Sequence, residues 1–323
     1  MLECVELFAG AGGLSLGLKR ARIQVKVAVD SAEDCRSTYL RNHRGVEFIL
    51  DRVQNLTRKD LLHQIERPDS LVLAGGPPCQ LFSRLNRSPA EITDEVRSYI
   101  RLVRSLKPLY VVFENVPAIK RRSVAWDFVI ASLSKAGYDV QWRIVRCSDL
   151  GIPQCRDRMI VLASKVPVSI DSLRQRDQQT VRDAIGHLPD VDESILNHKS
   201  MKLSDVNLRR IKGIKEGQNS RSKDVSFADS YARMSWDRPA PTITTKCISF
   251  SNGRFGHPSF NRAITVREAA NLQSFPESYE FVGNLASCAR QVGNAVPPRL
   301  GEALGKVIVS SYKKHVRNKR RRA

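Results

Sequence analysis

Leu71-Val72-Leu73-Ala74-Gly75-Gly76-Pro77-Pro78-Cys79-Gln80-Leu81-Phe82-Ser83 reads as a buried strand that stops abruptly on a rigid turn. An unbroken apolar run suits a strand covered on both faces of a parallel sheet. The two prolines fix φ and offer no backbone donor, and the glycines before them let another molecule approach the chain closely. Such a turn delivers Cys79 toward solvent. Structural cysteines hide within apolar periods, so this placement singles the thiol out, although the turn alone is also compatible with an ordinary loop cysteine.

Outward from this stretch, strand and helix signals alternate, as in a mainly parallel α/β sheet. Val5–Phe8 is followed by a glycine turn and a helical stretch over Leu14–Ala21; Val25–Val29 is the next strand and ends at Asp30. Beyond Cys79, Val96, Ile100, Val103 and Leu106 recur at helical spacing before a strand over Leu109–Phe113. Trp126–Ala136 reads as a helix, and Val140–Val145 and Met159–Ala163 as strands. After Ser164 the alternation stops. Residues 165–237 are polar and irregular, and periodicity returns near Ile264–Phe275 and in a closing helix over Leu300–Tyr312.

The chain has 323 residues, 41% of them apolar, enough for one large domain and a smaller one. No apolar stretch reaches membrane-spanning length, and strand-like sequence from Leu2 leaves no room for a signal peptide. Its seven cysteines include no C-x-x-C pair, which speaks against a zinc site or disulfide framework and for a reducing, intracellular compartment. The formal charge of +20 points to a polyanionic partner. Residues 299–323 hold nine basic residues against one acidic, and 197–223 hold eight against two. The end, Lys313 to Arg322, reads as a frayed basic tail for phosphate contact; a solvated helix end or a nuclear-import signal would look the same.

Further segments carry chemistry. Phe8-Ala9-Gly10-Ala11-Gly12-Gly13 follows a strand and opens a helix, where glycines let the backbone approach a ligand. Ser15 stands where a dinucleotide fingerprint wants its third glycine, which counts against a nicotinamide cofactor. Asp30 sits where such folds place an acid for ribose hydroxyls, or is an ordinary strand-end aspartate. Glu114-Asn115-Val116-Pro117 also follows a strand, so it opens on the same carboxyl edge as Cys79, unless it merely caps a helix. In Gln154-Cys155-Arg156-Asp157-Arg158, alternation predicts Arg156 and Arg158 on one face, suited to a phosphate, a base oxygen or a surface salt bridge.

These segments in this order, with Arg238-Pro239-Ala240-Pro241-Thr242-Ile243 and Gln291-Val292-Gly293-Asn294-Ala295-Val296-Pro297-Pro298, resemble the C5-cytosine DNA methyltransferases of restriction–modification systems. The resemblance implies an S-adenosylmethionine-dependent, Rossmann-like α/β mixed sheet with a smaller target-recognition domain. Residues 1–164 would form the catalytic and cofactor-binding domain and 165–261 the recognition domain, with 262–323 returning to the first and ending in the tail 313–323. It implies S-adenosylmethionine as cofactor, double-stranded DNA as partner, a flipped cytosine as acceptor, no metal, a monomer, and a bacterial cytoplasmic setting at the nucleoid. Cys79 would add to cytosine C6, Glu114 protonate N3, Arg158 hold O2, and Arg156 hold the adjacent phosphate or the loop around Cys79. Phe8, Gly10, Gly12, Asp30, Asp51, Gly76, Pro78 and Asn294 would line the cofactor site. Asp30-Ser31 and Leu50-Asp51-Arg52 depart from the family's usual residues, which bears on how the adenine packs. Two rivals are a transfer-RNA cytosine methyltransferase of related fold and a non-catalytic DNA-binding relative.

Overall fold

In a computed structural model of the chain, residues 1–78, 92–121, 123–220 and 230–322 are described. Seven strands form one sheet: β1 (Leu2–Leu7), β2 (Ile23–Asp30), β3 (Glu47–Leu50), β4 (Leu71–Gly75), β5 (Tyr110–Asn115), β6 (Asp139–Arg146) and β7 (Asp157–Ser164). The helices are α1 (Gly13–Arg20), α2 (Glu33–Asn42), α3 (Arg58–Leu62), α4 (Asp94–Leu106), α5 (Ser123–Lys135), α6 (Val181–Ile185), α7 (Asp205–Lys212), α8 (Val266–Leu272), α9 (Leu285–Asn294) and α10 (Pro298–Arg322). The strand order is β3-β2-β1-β4-β5-β7-β6, with β3, β2, β1, β4 and β5 parallel and β7 antiparallel to β5. The expected mixed α/β sheet is therefore present.

The chain divides into two compact units. The first is Met1–Val145 with Asp157–Arg174 and Leu300–Ala323, and the second is Arg146–Arg156 with Gln175–Arg299. The second unit runs to Arg299, and within it α8 packs on both α6 and α9.

In the first unit the apolar strands Leu71–Gly75 and Tyr110–Asn115 are wholly buried, as unbroken hydrophobic runs require. The helical spacing of Val96, Ile100, Val103 and Leu106 becomes the buried face of α4, capped at its start by the Thr93 side chain. Tyr99 of the same helix donates its hydroxyl to the Val112 carbonyl (2.8 Å), fastening α4 to the sheet. Leu14 and Leu18 bury α1, and α10 lies along it. A Cβ at Gly301 would stand 3.0 Å from the Leu14 carbonyl oxygen, and one at Gly305 2.5 Å from the Ala21 Cβ, so glycine is what lets the two helices approach. Helix α10 then continues unbroken to Arg322, so the basic end is helical where the sequence suggested fraying.

The second unit holds four helices and no named strand among its described residues. Where no ladder can satisfy buried carbonyls, arginines do so. The Arg233 guanidinium donates to the carbonyls of Ile211, Ile214, His257 and Phe260 at 2.6–3.0 Å. Arg267, fully buried, donates to those of Leu196, Pro276 and Tyr279, and desolvation pulls its pKa down to about 10. Arg262 makes a two-pronged ion pair with buried Glu268. Part of this unit's positive charge is therefore internal framework.

Candidate active site

The register of the parallel strands sets the site. Leu7 lies level with Val29 on one side and Gly75 on the other, and Gly75 lies level with Phe113. The residues that come next, Phe8, Asp30, Gly76 and Glu114, therefore emerge along one edge of the sheet.

At β1 the chain turns through left-handed conformations at Phe8 (φ 57°), Gly10 (φ 52°) and Gly12 (φ 83°), the last forming the N-cap of α1. Gly10 needs its freedom, and nothing lies within 4 Å of where a Cβ would be, which leaves the backbone open to a ligand. Asp30 braces the loop: one carboxylate oxygen accepts from Gly10 N–H (2.7 Å), the other from Ala32 N–H (2.8 Å). Burial raises the Asp30 pKa against those two bonds. Each oxygen keeps a lone pair for a further donor such as a ribose hydroxyl. Asp51, at the end of β3, accepts from Arg52 N–H (2.6 Å) and Asn55 Nδ2 (2.7 Å), holding the turn that follows.

Beneath the loop lies a group that sequence reasoning missed. Glu6, in the buried strand β1, accepts from the Ser15 hydroxyl, which lies 2.5 Å from the Tyr39 hydroxyl. Burial pushes the Glu6 carboxyl up to about 8. The serine that breaks the dinucleotide fingerprint is thus the partner of this carboxyl. His43, also buried, bonds the Gly12 backbone, and desolvation lowers its pKa to about 4. The available signal was a carboxyl, Glu6, flanked by Val5 and Leu7 inside a buried strand.

On the other side, Gly76 and Pro77 continue from β4, and Asn115 Nδ2 donates to the Pro77 carbonyl (3.0 Å), tying the turn to β5. Pro78 is exposed, and Cys79 lies outside the described residues. Glu114 stands directly opposite Ile160 in the antiparallel β5–β7 pair, so Arg158, two residues along β7, shares its face as a diagonal neighbour. Arg158 Nε donates to Glu114 Oε1 at 2.7 Å, both side chains being close to nine-tenths buried. Arg158 Nη1 donates to the Asp157 carbonyl (2.8 Å), and Nη2 has no bond to any described residue. A cationic donor and a carboxyl fixed side by side can read adjacent ring atoms of a flat polar base.

The alternation that serves Arg158 does not extend to Arg156, because β7 begins at Asp157. Arg156 lies in the second unit, buried, and donates to the carbonyls of Ile243 (2.9 Å), Gly293 (3.1 Å) and Ala295 (3.3 Å). The Cys79 loop that Arg156 was expected to hold lies outside the described residues. Gln154 beside it accepts from Ile243 N–H (3.1 Å) and donates to Gln273 Oε1 (2.7 Å), and Gln273 Nε2 in turn donates to the Val292 carbonyl (2.8 Å). Gly293 comes so close to the Thr244–Thr245 backbone that no side chain fits. Three segments far apart in sequence, 154–156, 238–243 and 291–298, are thereby knit together. Asn294 ends α9 in this unit and is exposed.

The C-5 cytosine-specific DNA methylase family profile matches residues 2–310. The type II methylase M.HgiDII of Herpetosiphon aurantiacus is 35% identical over 333 aligned positions, covering 94% of this chain and 94% of its own. The type II methyltransferase M1.HphI of Haemophilus parahaemolyticus is 30% identical over 331 positions, covering 95% of this chain and 87% of its own. Among solved structures, the Entamoeba histolytica methyltransferase EhMeth superposes with a TM-score of 0.71 at 18% identity, over 96% of this chain and 98% of that one, a likeness of fold. With its strand-end glycine loop, its paired Glu114 and Arg158, and a profile match over nearly its whole length, the chain belongs to the C-5 cytosine-specific DNA methylase family.

Proposed function

We propose that this methyltransferase works on a cytosine swung out of its duplex stack, through a covalent bond from Cys79, as the modification enzyme of a type II restriction–modification system. The observation that carries the reading is the level row of strand ends, which sets the Glu114–Arg158 pair beside the Gly76-Pro77-Pro78 turn from which Cys79 follows. The restriction–modification assignment draws on the names of the type II relatives.

C5 of cytosine is a weak nucleophile. Attack of the Cys79 thiolate on C6 moves the ring electrons toward C5, and a proton delivered from Glu114 to N3 relieves the charge that would otherwise build there. Arg158 donates to the cytosine O2 through Nη2 while Nε holds Glu114 in line, so base and acid share one orientation. Bound S-adenosylmethionine supplies an electrophilic methyl group for the activated C5. Removal of the C5 proton by a base or water then returns electrons to the ring and breaks the bond to Cys79.

The residues fit that cofactor: the open Gly10 position, the left-handed turn at Phe8 and Gly12, and the spare lone pairs of Asp30 form a cradle at the start of α1. Asp51, Gly76, Pro78 and Asn294 complete the set in this reading. Arg156 acts as a positioning residue, holding the Ile243 and Gly293–Ala295 backbones. The first unit is the catalytic one, and the irregular second unit reads the DNA.

The test uses duplex DNA in which 5-fluorocytosine replaces every cytosine, so no knowledge of the target site is needed. With S-adenosylmethionine present, wild type is expected to form an adduct that survives denaturation, because fluorine cannot leave as a proton. Cys79→Ser is expected to form none. Equal trapping by the serine variant would remove Cys79 from the mechanism.

A further inference from the structure

We propose that the basic end of α10 is a second DNA-binding surface, on the sheet edge opposite the active site, which holds a separate segment of duplex by its phosphates. The proposal rests on DNA being the substrate and adds a place where a second stretch is held.

Helix α10 runs from the ligand edge of the sheet toward the other. Gly301 faces Leu14 and Gly17 near the start of α1, whereas Gly305 faces Ala21 and Ile23, the latter opening β2. Ser311 then bonds the hydroxyl of Tyr110, the first residue of β5, at 2.8 Å, and the Pro167 carbonyl at 2.7 Å. Tyr110 is four residues behind Glu114, roughly 13 Å at the rise of a strand. The stretch from Lys313 to Arg321 continues past that edge for about 12 Å more. A duplex that presents a base to Glu114 therefore lies on the far side from these cations.

Lys313, Arg317, Arg320 and Arg321 recur at helical spacing and, with Tyr312 and Val316, line one shallow concavity. Lys313, Lys314, Arg317, Lys319, Arg320 and Arg321 are all exposed, and none makes an ion pair with a described residue. The helix has a single acid, Glu302, which pairs with Lys306 well before the cluster. The helix dipole favours cations only within the last turn, which leaves Lys313, Lys314 and Arg317 without that reason. Like charges three and four residues apart oppose the helix. A polyanion relieves that repulsion and gains by counterion release, and phosphate contacts of this kind carry no sequence information.

The test replaces all six exposed cations, Lys313, Lys314, Arg317, Lys319, Arg320 and Arg321, with glutamine, a good helix former that keeps α10 intact by circular dichroism. Protein bound to a bead-tethered duplex is offered a fluorescent duplex. Wild type is expected to capture the second duplex at low salt, and the variant at least tenfold less. The log–log salt dependence of DNA binding should become shallower by about 2 to 5. Methyl transfer to DNA free in solution should stay within twofold of wild type, which separates failure here from failure of the catalytic reading. Arg317→Lys/Arg320→Lys/Arg321→Lys should bridge as wild type does, since charge and not bidentate geometry is required. Bridging by the glutamine variant equal to wild type would overturn the proposal. So would wild type that binds phosphatidylserine vesicles through these residues but captures no second duplex.

Discussion

Gly75 and Gly76 are adjacent, yet their substitution by alanine should fail in different ways. A Cβ on Gly75 would lie 2.5 Å from the carbonyl oxygen of Leu7, its level neighbour in β1, so two strands would be forced apart. Overpacking of that kind costs about 1–3 kcal/mol, or roughly 1.5–4.5 °C in Tm for a chain of this size. A Cβ on Gly76 would instead lie 2.6 Å from Glu114 Oε2, about 0.8 Å inside the 3.4 Å at which ordinary contact begins. The carboxyl can yield only by moving against the 2.7 Å bond from Arg158. Displacing a catalytic group by about 1 Å can cost on the order of 10²-fold in rate. Gly76→Ala is therefore expected to lower kcat about 10²-fold, at saturating cofactor and DNA, with Tm within about 2 °C of wild type. The assay is transfer of tritiated methyl groups to bulk DNA. Glu114→Gln should show a similar loss of about 10²-fold or more, because it cannot donate a proton to N3 in the same way. Combining the two should be scarcely worse than Glu114→Gln alone, since both act on one group. An undiminished Gly76→Ala enzyme, or losses that simply multiply in the double variant, would refute the reasoning.

Two further outcomes follow from the buried polar groups. Glu6 keeps its proton in the folded protein up to about pH 8, whereas the unfolded chain loses it near 4.5, so folding stability falls as pH rises through that window and levels off above it. His43, held down to about 4, affects only the range below its ordinary 6.5, so pH 6.5–8 isolates Glu6. Glu6→Gln should gain about 2 kcal/mol relative to wild type across that range in denaturant melts, and parallel curves would exclude a buried neutral Glu6. Arg156→Met should cost roughly 3–5 kcal/mol by leaving three buried carbonyls unsatisfied, so Tm falls along with activity; a variant that loses DNA affinity at unchanged Tm would mean that Arg156 holds phosphate instead.

What the sequence determined by itself was local and periodic. The unbroken apolar runs announced β4 and β5, the helical spacing of Val96 to Leu106 announced α4, and the glycine and proline turns marked where those strands stop. Parallel strands share one carboxyl edge, so Gly76 and Glu114 could be set along a common rim without coordinates. What only the tertiary structure decided was register and partnership. Arg158 meets Glu114 because β7 pairs antiparallel with β5 at one particular offset, and Arg156 departs from it because the strand starts one residue later. Glu6 and Ser15 are nine residues apart and find each other only when α1 folds back on β1. The irregular second unit resisted reading for the same reason: with no period to follow, its order comes from buried arginines whose carbonyl partners lie up to 139 residues away. The direction of α10, which carries its cations to the edge behind the active site, rests on Gly301, Gly305 and Ser311 finding partners in α1, β5 and the segment after β7, and long-range contact of that kind leaves no mark on hydrophobic spacing.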